Sequence, residues 1–167
     1  TGLRENKFGI AHDDALRVYR LAAALPNIDV AGIDCHIGSQ ITTIEPFLAA
    51  LDKVLELVDA LALEGIVLRH LDLGGGLGIR YDDEAPPSRA ALLQAVFGRL
   101  ERHPRGAEFE VLFEFGRSIV GNAGVLLTRV EYLKVNGERH FAVVDAAMND
   151  MLRPSLYEAW HDVLPVD

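Results

Sequence analysis

Three short stretches of the chain carry residue types that chemistry uses. His36 and Ser39 stand in "CHIGSQ", Gly74, Gly75 and Gly76 in "LDLGGGLGI", and Glu114, Phe115, Gly116 and Arg117 in "LFEFGRS". Glycine inside an ordered element costs about 0.5–1 kcal/mol relative to alanine, so a triple marks a place where backbone must approach something closely. Bare N–H groups there can converge on an anion, and Ser39 and Arg117 suit the same charge. His36 offers a flat ring for stacking, and Glu114 a carboxylate that would keep a basic nitrogen protonated. Each also has a plainer reading: a strand-to-helix loop for the glycines, a satisfied core histidine for His36, and for Glu114 a strand-end carboxylate turned to water and answered by Arg117. Cys35 reads as a small packed hydrophobe. The glycine spacing is neither the dinucleotide fingerprint nor the lysine-bearing nucleotide loop.

The elements that must position these residues follow from periodicity. Asp13 can cap a helix through about Leu25, with Leu16, Tyr19 and Ala23 on one face and Pro26 ending it. "VAGIDCHIG" reads as a strand. Thr42 and Glu45 have capping-box spacing, Pro46 suits a first turn, and Phe47, Leu51, Val54, Leu55 and Val58 form a helical stripe until Gly65. "VLRHLDL" is a strand leading into the glycines. Ser88 opens a helix with Leu92, Leu93, Val96, Phe97 and Leu100 inward, and "FEVLFEF" is the next strand. Helices between short apolar strands predict a parallel sheet covered on both faces. After Gly121 the pattern changes: "GVLLTRVEYLKV" and "RHFAVVDAAM" flank "NGE", a hairpin signal. The expected division is therefore residues 1–123 as an α/β region and 124–167 as the start of an all-β one. In parallel α/β folds active sites form at the C-terminal edge of the strands, and all three chemical stretches fall there.

Composition excludes several classes. The 167 residues are 50% hydrophobic and carry 16 Lys and Arg against 25 Asp and Glu, a net charge of −9. There is no global attraction to nucleic acid or anionic lipid, and no run approaches the roughly 20 apolar residues of a membrane span. The single Cys35 excludes an internal disulfide and fits a reducing cytoplasm. The chain starts without methionine and both ends read as cut.

The three stretches together ask for one ligand with a phosphate, an aromatic ring and a basic ring nitrogen. Pyridoxal phosphate has all three, and a carboxylate beside its pyridine nitrogen makes the ring a strong electron sink. The order "KFGI", "HIGSQ", "LDLGGGLGI", "EFGRSIVGNAGVLLTRVEYLK", "MLRPSLYEAWH" closely resembles the diaminopimelate decarboxylases. These are fold-type III pyridoxal-phosphate enzymes, grouped with alanine racemase and the ornithine and arginine decarboxylases. "RPSLY" is the segment that points to the diaminopimelate branch; without the resemblance it reads as an exposed loop whose proline ends a strand.

The resemblance implies a cytoplasmic, dimeric enzyme built from an eight-stranded α/β barrel and a β-domain, converting meso-diaminopimelate to L-lysine. It implies that His36 stacks on the cofactor ring, that Ser39, Gly74–Gly76 and the turn of Glu114, Phe115, Gly116 and Arg117 hold its phosphate, and that Glu114 contacts the pyridine nitrogen. Arg117, Arg153 and Tyr157 would bind the substrate, whose far end is itself an amino acid. No metal is implied. The chain departs from the family in three ways. A full barrel needs about 250 residues, so this chain corresponds to a partial TIM (β/α)8 barrel, about its last four βα units, plus the first β-domain strands. The family's cofactor-linked lysine lies upstream of Thr1 and its active-site cysteine downstream; only Lys7, Lys53 and Lys134 are present. Phe115 replaces the family's proline, loosening that turn and placing a bulky ring beside the phosphate. Two alternatives follow: a non-catalytic truncated or pseudo-enzyme half-barrel that binds cofactor or is purely structural, and another fold-type III amino-acid decarboxylase.

Overall fold

The computed structural model describes residues 7–166. In chain order the elements are α1 (His12–Ala23), β1 (Gly32–Asp34), α2 (Glu45–Leu63), β2 (His70–Asp72), α3 (Arg89–Leu100), β3 (Glu110–Leu112), α4 (Arg117–Val120), β4 (Val130–Asn136), β5 (Arg139–Val144) and α5 (Arg153–Tyr157). Strands β1, β2 and β3 form one parallel sheet in that order, with Gly32 opposite His70 and His70 opposite Glu110. Equal register puts all three C-terminal ends at one edge. The strand-helix alternation agrees with the periodicity, and three parallel strands are present among the described residues, one fewer than the βα units expected.

Each strand is shorter than its apolar run because the ladder continues as isolated bonds into the loops. Cys35 N–H donates to Asp72 O (3.0 Å), Leu73 N–H to Leu112 O (3.0 Å) and Glu114 N–H to Gly74 O (2.8 Å). Among the described residues, β1 and β3 are paired on one side only. A cleft of about 880 Å³ lies beside β1, with Ile28, Val30, Ile33, Ile37, Val54 and Leu57 in its walls.

The core sits between the sheet and α2 and α3. Leu51, Val58 and Leu61 of α2, Leu71 of β2 and Leu92 of α3 are all fully enclosed, and burying such a side chain contributes roughly 1.5–3 kcal/mol. On α1, Ala15 is buried and Leu16 and Tyr19 pack against the core, whereas Ala23 faces solvent. Phe97 is also exposed, at 45%, although its spacing assigns it inward. The α3 stripe is the narrower set Leu92, Val96 and Leu100, which leaves no place for a ring one residue past Val96.

Helix ends show which local signals hold. Ser88 caps α3 by accepting the Ala91 N–H, and Gly65, at φ +79°, follows the end of α2. The expected caps of α1 and α2 are not formed. Asp13 lies inside the first turn of α1, behind an Ala11 cap, where its charge still favours the helix N-terminus. Helix α2 starts at Glu45 with Pro46 in its first turn and Ile44 at the cap position, so Thr42 stands two residues too early to serve. Strands β4 and β5 form an antiparallel hairpin whose turn uses Gly137 at φ +62°, as "NGE" predicts. No helix among the described residues is long and apolar enough to cross a membrane.

Candidate cofactor and substrate site

The loops after β1, β2 and β3 are locked together by glycine. Gly74 and Gly76 have φ of +64° and +100°, in the region that L side chains rarely adopt. A methyl group on Gly74 would meet the Cys35 carbonyl oxygen at 2.5 Å; on Gly75 it would strike the Glu114 carbonyl, and on Gly76 that of Gly38. What comes so close to the triple glycine is therefore the backbone of the two neighbouring loops. Two of its donors are engaged within the chain: Gly74 N–H donates to Asp72 Oδ1 (2.8 Å) and Gly75 N–H to His36 Nδ1 (3.3 Å). That contact makes Nδ1 the acceptor, so in the neutral ring the proton sits on Nε2.

His36 is exposed at this edge rather than satisfied in the core. Glu114, also exposed, does not pair with Arg117. The Arg117 guanidinium donates through Nη1 to the Tyr81 hydroxyl (2.7 Å) and through Nη2 to Ser39 Oγ (2.8 Å). Both partners are neutral, so its charge is left available to an anion. Glu114 instead gathers with Asp34 and Asp72, one carboxylate oxygen of each lying within 4.8 Å of the others. Such a set suits a cation, whether a metal ion or a protonated heterocycle. Burial, and then the nearby Asp72 carboxylate, raise the pKa of Asp34, with His36 opposing. Burial, reinforced by Asp34 and Asp72, pushes the Cys35 thiol up to about 11, which keeps it protonated and inert.

Phe115 does not project as a free ring. It stacks on Phe113 with centroids 5.0 Å apart and planes 22° off parallel, and packs against the core; apolar packing holds the turn where a proline would hold it by fixing φ. Arg153 and Tyr157 lie on α5, a single turn starting at Arg153 with Pro154 near its start, so "RPSLY" is helical rather than a strand-ending loop. The Arg153 Cζ atom lies 5.6 Å from the Tyr157 ring centre. None of the three lysines belongs to the strand-edge loops: Lys53 is on α2 and pairs with Glu56 (2.6 Å), Lys134 is in β4, and Lys7 precedes α1 beside Phe8.

Periodicity alone does not single out four residues that build this edge. Asp34 and Asp72 end two strands, and alternation cannot say that their carboxylates meet. Gln40 clasps the loop after the glycines, its Nε2 donating to Ile79 O (2.6 Å) and its Oε1 accepting Ile79 N–H (3.2 Å). Tyr81 gathers residues distant in sequence. Its one sequence signal is position, a few residues beyond the glycines in "GGGLGIRY".

Residues 1–121 match the family described as pyridoxal-dependent decarboxylase, pyridoxal binding domain. The chain is 57% identical over 166 residues to a diaminopimelate decarboxylase of Vibrio cholerae, covering 99% of this chain and 39% of that protein. For a diaminopimelate decarboxylase of Pseudomonas aeruginosa the identity is 60%, with coverage of 99% and 39%. The crystal structure of Helicobacter pylori diaminopimelate decarboxylase complexed with L-lysine superposes with a TM-score of 0.88 at 39% identity, covering 97% of this chain and 40% of that one. The chain thus spans about two-fifths of the length of the relatives it matches. With a family match over residues 1–121, most of its length, the chain belongs to the pyridoxal-dependent decarboxylases, through their pyridoxal-binding domain.

Proposed function

We propose that the chain is the second half of the pyridoxal-phosphate barrel and the start of the β-domain of a meso-diaminopimelate decarboxylase, acting as part of a longer chain. The observation that carries this reading is the convergence, at one strand edge, of an arginine satisfied only by hydroxyls with three carboxylates and an exposed imidazole. That edge fits the cofactor at both ends. Arg117 and Ser39, already 2.8 Å apart, would hold the phosphate with the glycine loop and the turn of Glu114, Phe115, Gly116 and Arg117. Glu114 would hold the proton on the ring nitrogen, and the nearby Asp34 and Asp72 carboxylates favour that positive charge. His36, fixed by Gly75 N–H, would lie against the ring. When bound, pyridoxal phosphate supplies the electron sink that accepts the pair left as carbon dioxide departs. Arg117, Arg153 and Tyr157 would hold the carboxylate of the substrate's far amino-acid end, for which a planar guanidinium is well shaped.

The division at residues 123 and 124 is supported by the end of the family match at residue 121 and by a buried core that reaches only to Phe109. The one-sided pairing of β1 and β3 supports a barrel completed by further strands, and the exposed apolar residues of β4 and β5 support a homodimer or a larger β-domain that covers them. A non-catalytic reading of the isolated chain is favoured by the placement of Lys7, Lys53 and Lys134 away from the edge. Both readings are tested together. The full-length holoenzyme should release carbon dioxide from meso-diaminopimelate and form L-lysine, while the 167-residue chain with added pyridoxal phosphate should do neither. A full-length protein inactive on meso-diaminopimelate but active on another amino acid would move the reading to a sister decarboxylase.

A further inference from the structure

We propose that Tyr81 is a positioning residue that sets Arg117 and Arg153 side by side for the carboxylate at the substrate's far end. The inference rests on the function proposed above and adds a residue to it. Three distant segments meet on this one ring. Its hydroxyl accepts from Arg117 Nη1 (2.7 Å), the Cζ atoms of Arg117 and Arg153 lie 5.7 and 5.9 Å from its centre, and the His161 ring packs at 5.6 Å. Two guanidinium groups repel, and the negative face of an aromatic ring is a neutral device that tolerates both. Among the described residues neither arginine has a carboxylate within ion-pair distance, and Arg153 Nε is buried without an acceptor. A buried donor without a partner costs free energy that an incoming anion would relieve.

The two ends of Arg117 point to different tasks. Nη2 is at Ser39, on the phosphate side, whereas Nη1 is at Tyr81, on the Arg153 side. Tyr81 is itself held from both directions along the chain. Glu84 accepts its backbone N–H (2.9 Å), and the preceding Ile79 is buried and clasped by Gln40. A ring so anchored can order arginines from the α/β region and from α5 without touching the bond that breaks.

The test uses the full-length holoenzyme with Tyr81→Phe, which keeps the ring and loses the hydroxyl, and Tyr81→Leu, which loses both. Tyr81→Phe should raise KM for meso-diaminopimelate about 5-fold and Tyr81→Leu about 50-fold, with kcat reduced less than about 3-fold. Inhibition by L-lysine, which retains the far carboxylate, should weaken in parallel. Inhibition by cadaverine, the diamine without that carboxylate, should not change when measured at saturating pyridoxal phosphate. A merely structural lesion would weaken both inhibitors alike, and that result would overturn the inference. Should Tyr81→Leu fail to fold, a wild-type KM in Tyr81→Phe overturns it alone. Wild-type holoenzyme inactive on meso-diaminopimelate overturns the proposed function and this inference with it; active wild-type with unchanged variants overturns only the role of Tyr81.

Discussion

The α/β region and the segment after residue 123 are held together by different forces. Among the described residues, every buried hydrophobic lies between Ala15 and Phe109. Beyond residue 123 the described residues contribute none: Val125, Leu133 and Val163 are 97%, 77% and 90% exposed, and β4 and β5 are joined to each other by their backbone ladder. The first region can position chemistry because side-chain packing fixes its loops. The second has hydrogen-bonded shape but no core of its own, and an isolated two-stranded hairpin is marginal in water. One place where the two meet is Tyr81, which receives Arg153 and His161 from the second region and Arg117 from the first.

The sharpest way to break this contrast is truncation of one leucine in each region. Leu92→Ala, at a fully buried site, should cost about 2–5 kcal/mol of unfolding free energy, whereas Leu133→Ala should change it by less than about 0.5 kcal/mol. Urea denaturation of the 167-residue chain measures both. Equal losses would mean that the hairpin is packed against something, and the distinction between the regions would collapse.

A pair of glycines sharpens the claim about the loops. Gly75→Ala drives a methyl group into the Glu114 carbonyl and should destabilise by about 1–3 kcal/mol, the range for overpacking a site that cannot yield. Gly98→Ala, in α3 with open space at its Cβ position, should stabilise by about 0.5–1 kcal/mol. Calorimetric melting of the two variants separates the readings. A harmless Gly75→Ala would show that the three loops are not held by close backbone approach.

The same contrast explains what the sequence disclosed. Parallel strands, the two-residue hairpin turn and the Ser88 cap are local patterns with local causes, and they are legible. The expected caps at Asp13 and Thr42 fail because capping depends on where the helix begins, and periodicity fixes that only to within a residue or two. Phe97 fails because inwardness depends on which surface α3 meets. At the candidate site, the glycine triple and the positions of His36, Ser39, Glu114 and Arg117 are readable, since each follows closely on a strand. Tyr81 is not, because its partners lie 36 or more residues away and nothing in its neighbourhood announces them. The meeting of Asp34, Asp72 and Glu114 depends on strand register, which an apolar run does not specify.

Cys35 measures how closed the β1 loop is. With its thiol pushed up to about 11 from 9.0, the thiolate fraction at pH 8 falls about 100-fold. The more basic thiolate is about 10-fold more nucleophilic, so alkylation by iodoacetamide should slow by about 10-fold or more relative to the urea-unfolded chain. Its stabilising contribution is fully present below the unfolded value and lost as pH rises toward 11. A reaction rate equal to that of the unfolded chain would show the loop to be open.

The smallest expected effects have opposite signs in the two regions. Asp34, at the end of β1, has a raised pKa because burial and Asp72 disfavour its charge. The folded state therefore holds its proton more tightly than the unfolded chain, and that stability is fully present below the unfolded value of 3.8 and lost as pH rises through the folded one. Asp145, just after β5, behaves in reverse. The Arg129 N–H and the Thr128 hydroxyl hold its carboxylate below the usual range, at 2.9 and 2.7 Å. Its contribution is present above 3.8 and lost as pH falls through the folded value. Asp34→Asn should consequently melt higher than wild type at pH 7, and Asp145→Asn lower, with both differences shrinking as the pH approaches 3. Melting curves at pH 3, 5 and 7 read the two signs directly. If both variants lose stability at pH 7, Asp34 is held by a favourable contact of its carboxylate rather than strained by its neighbours, and the carboxylate cluster does not concentrate negative charge as described.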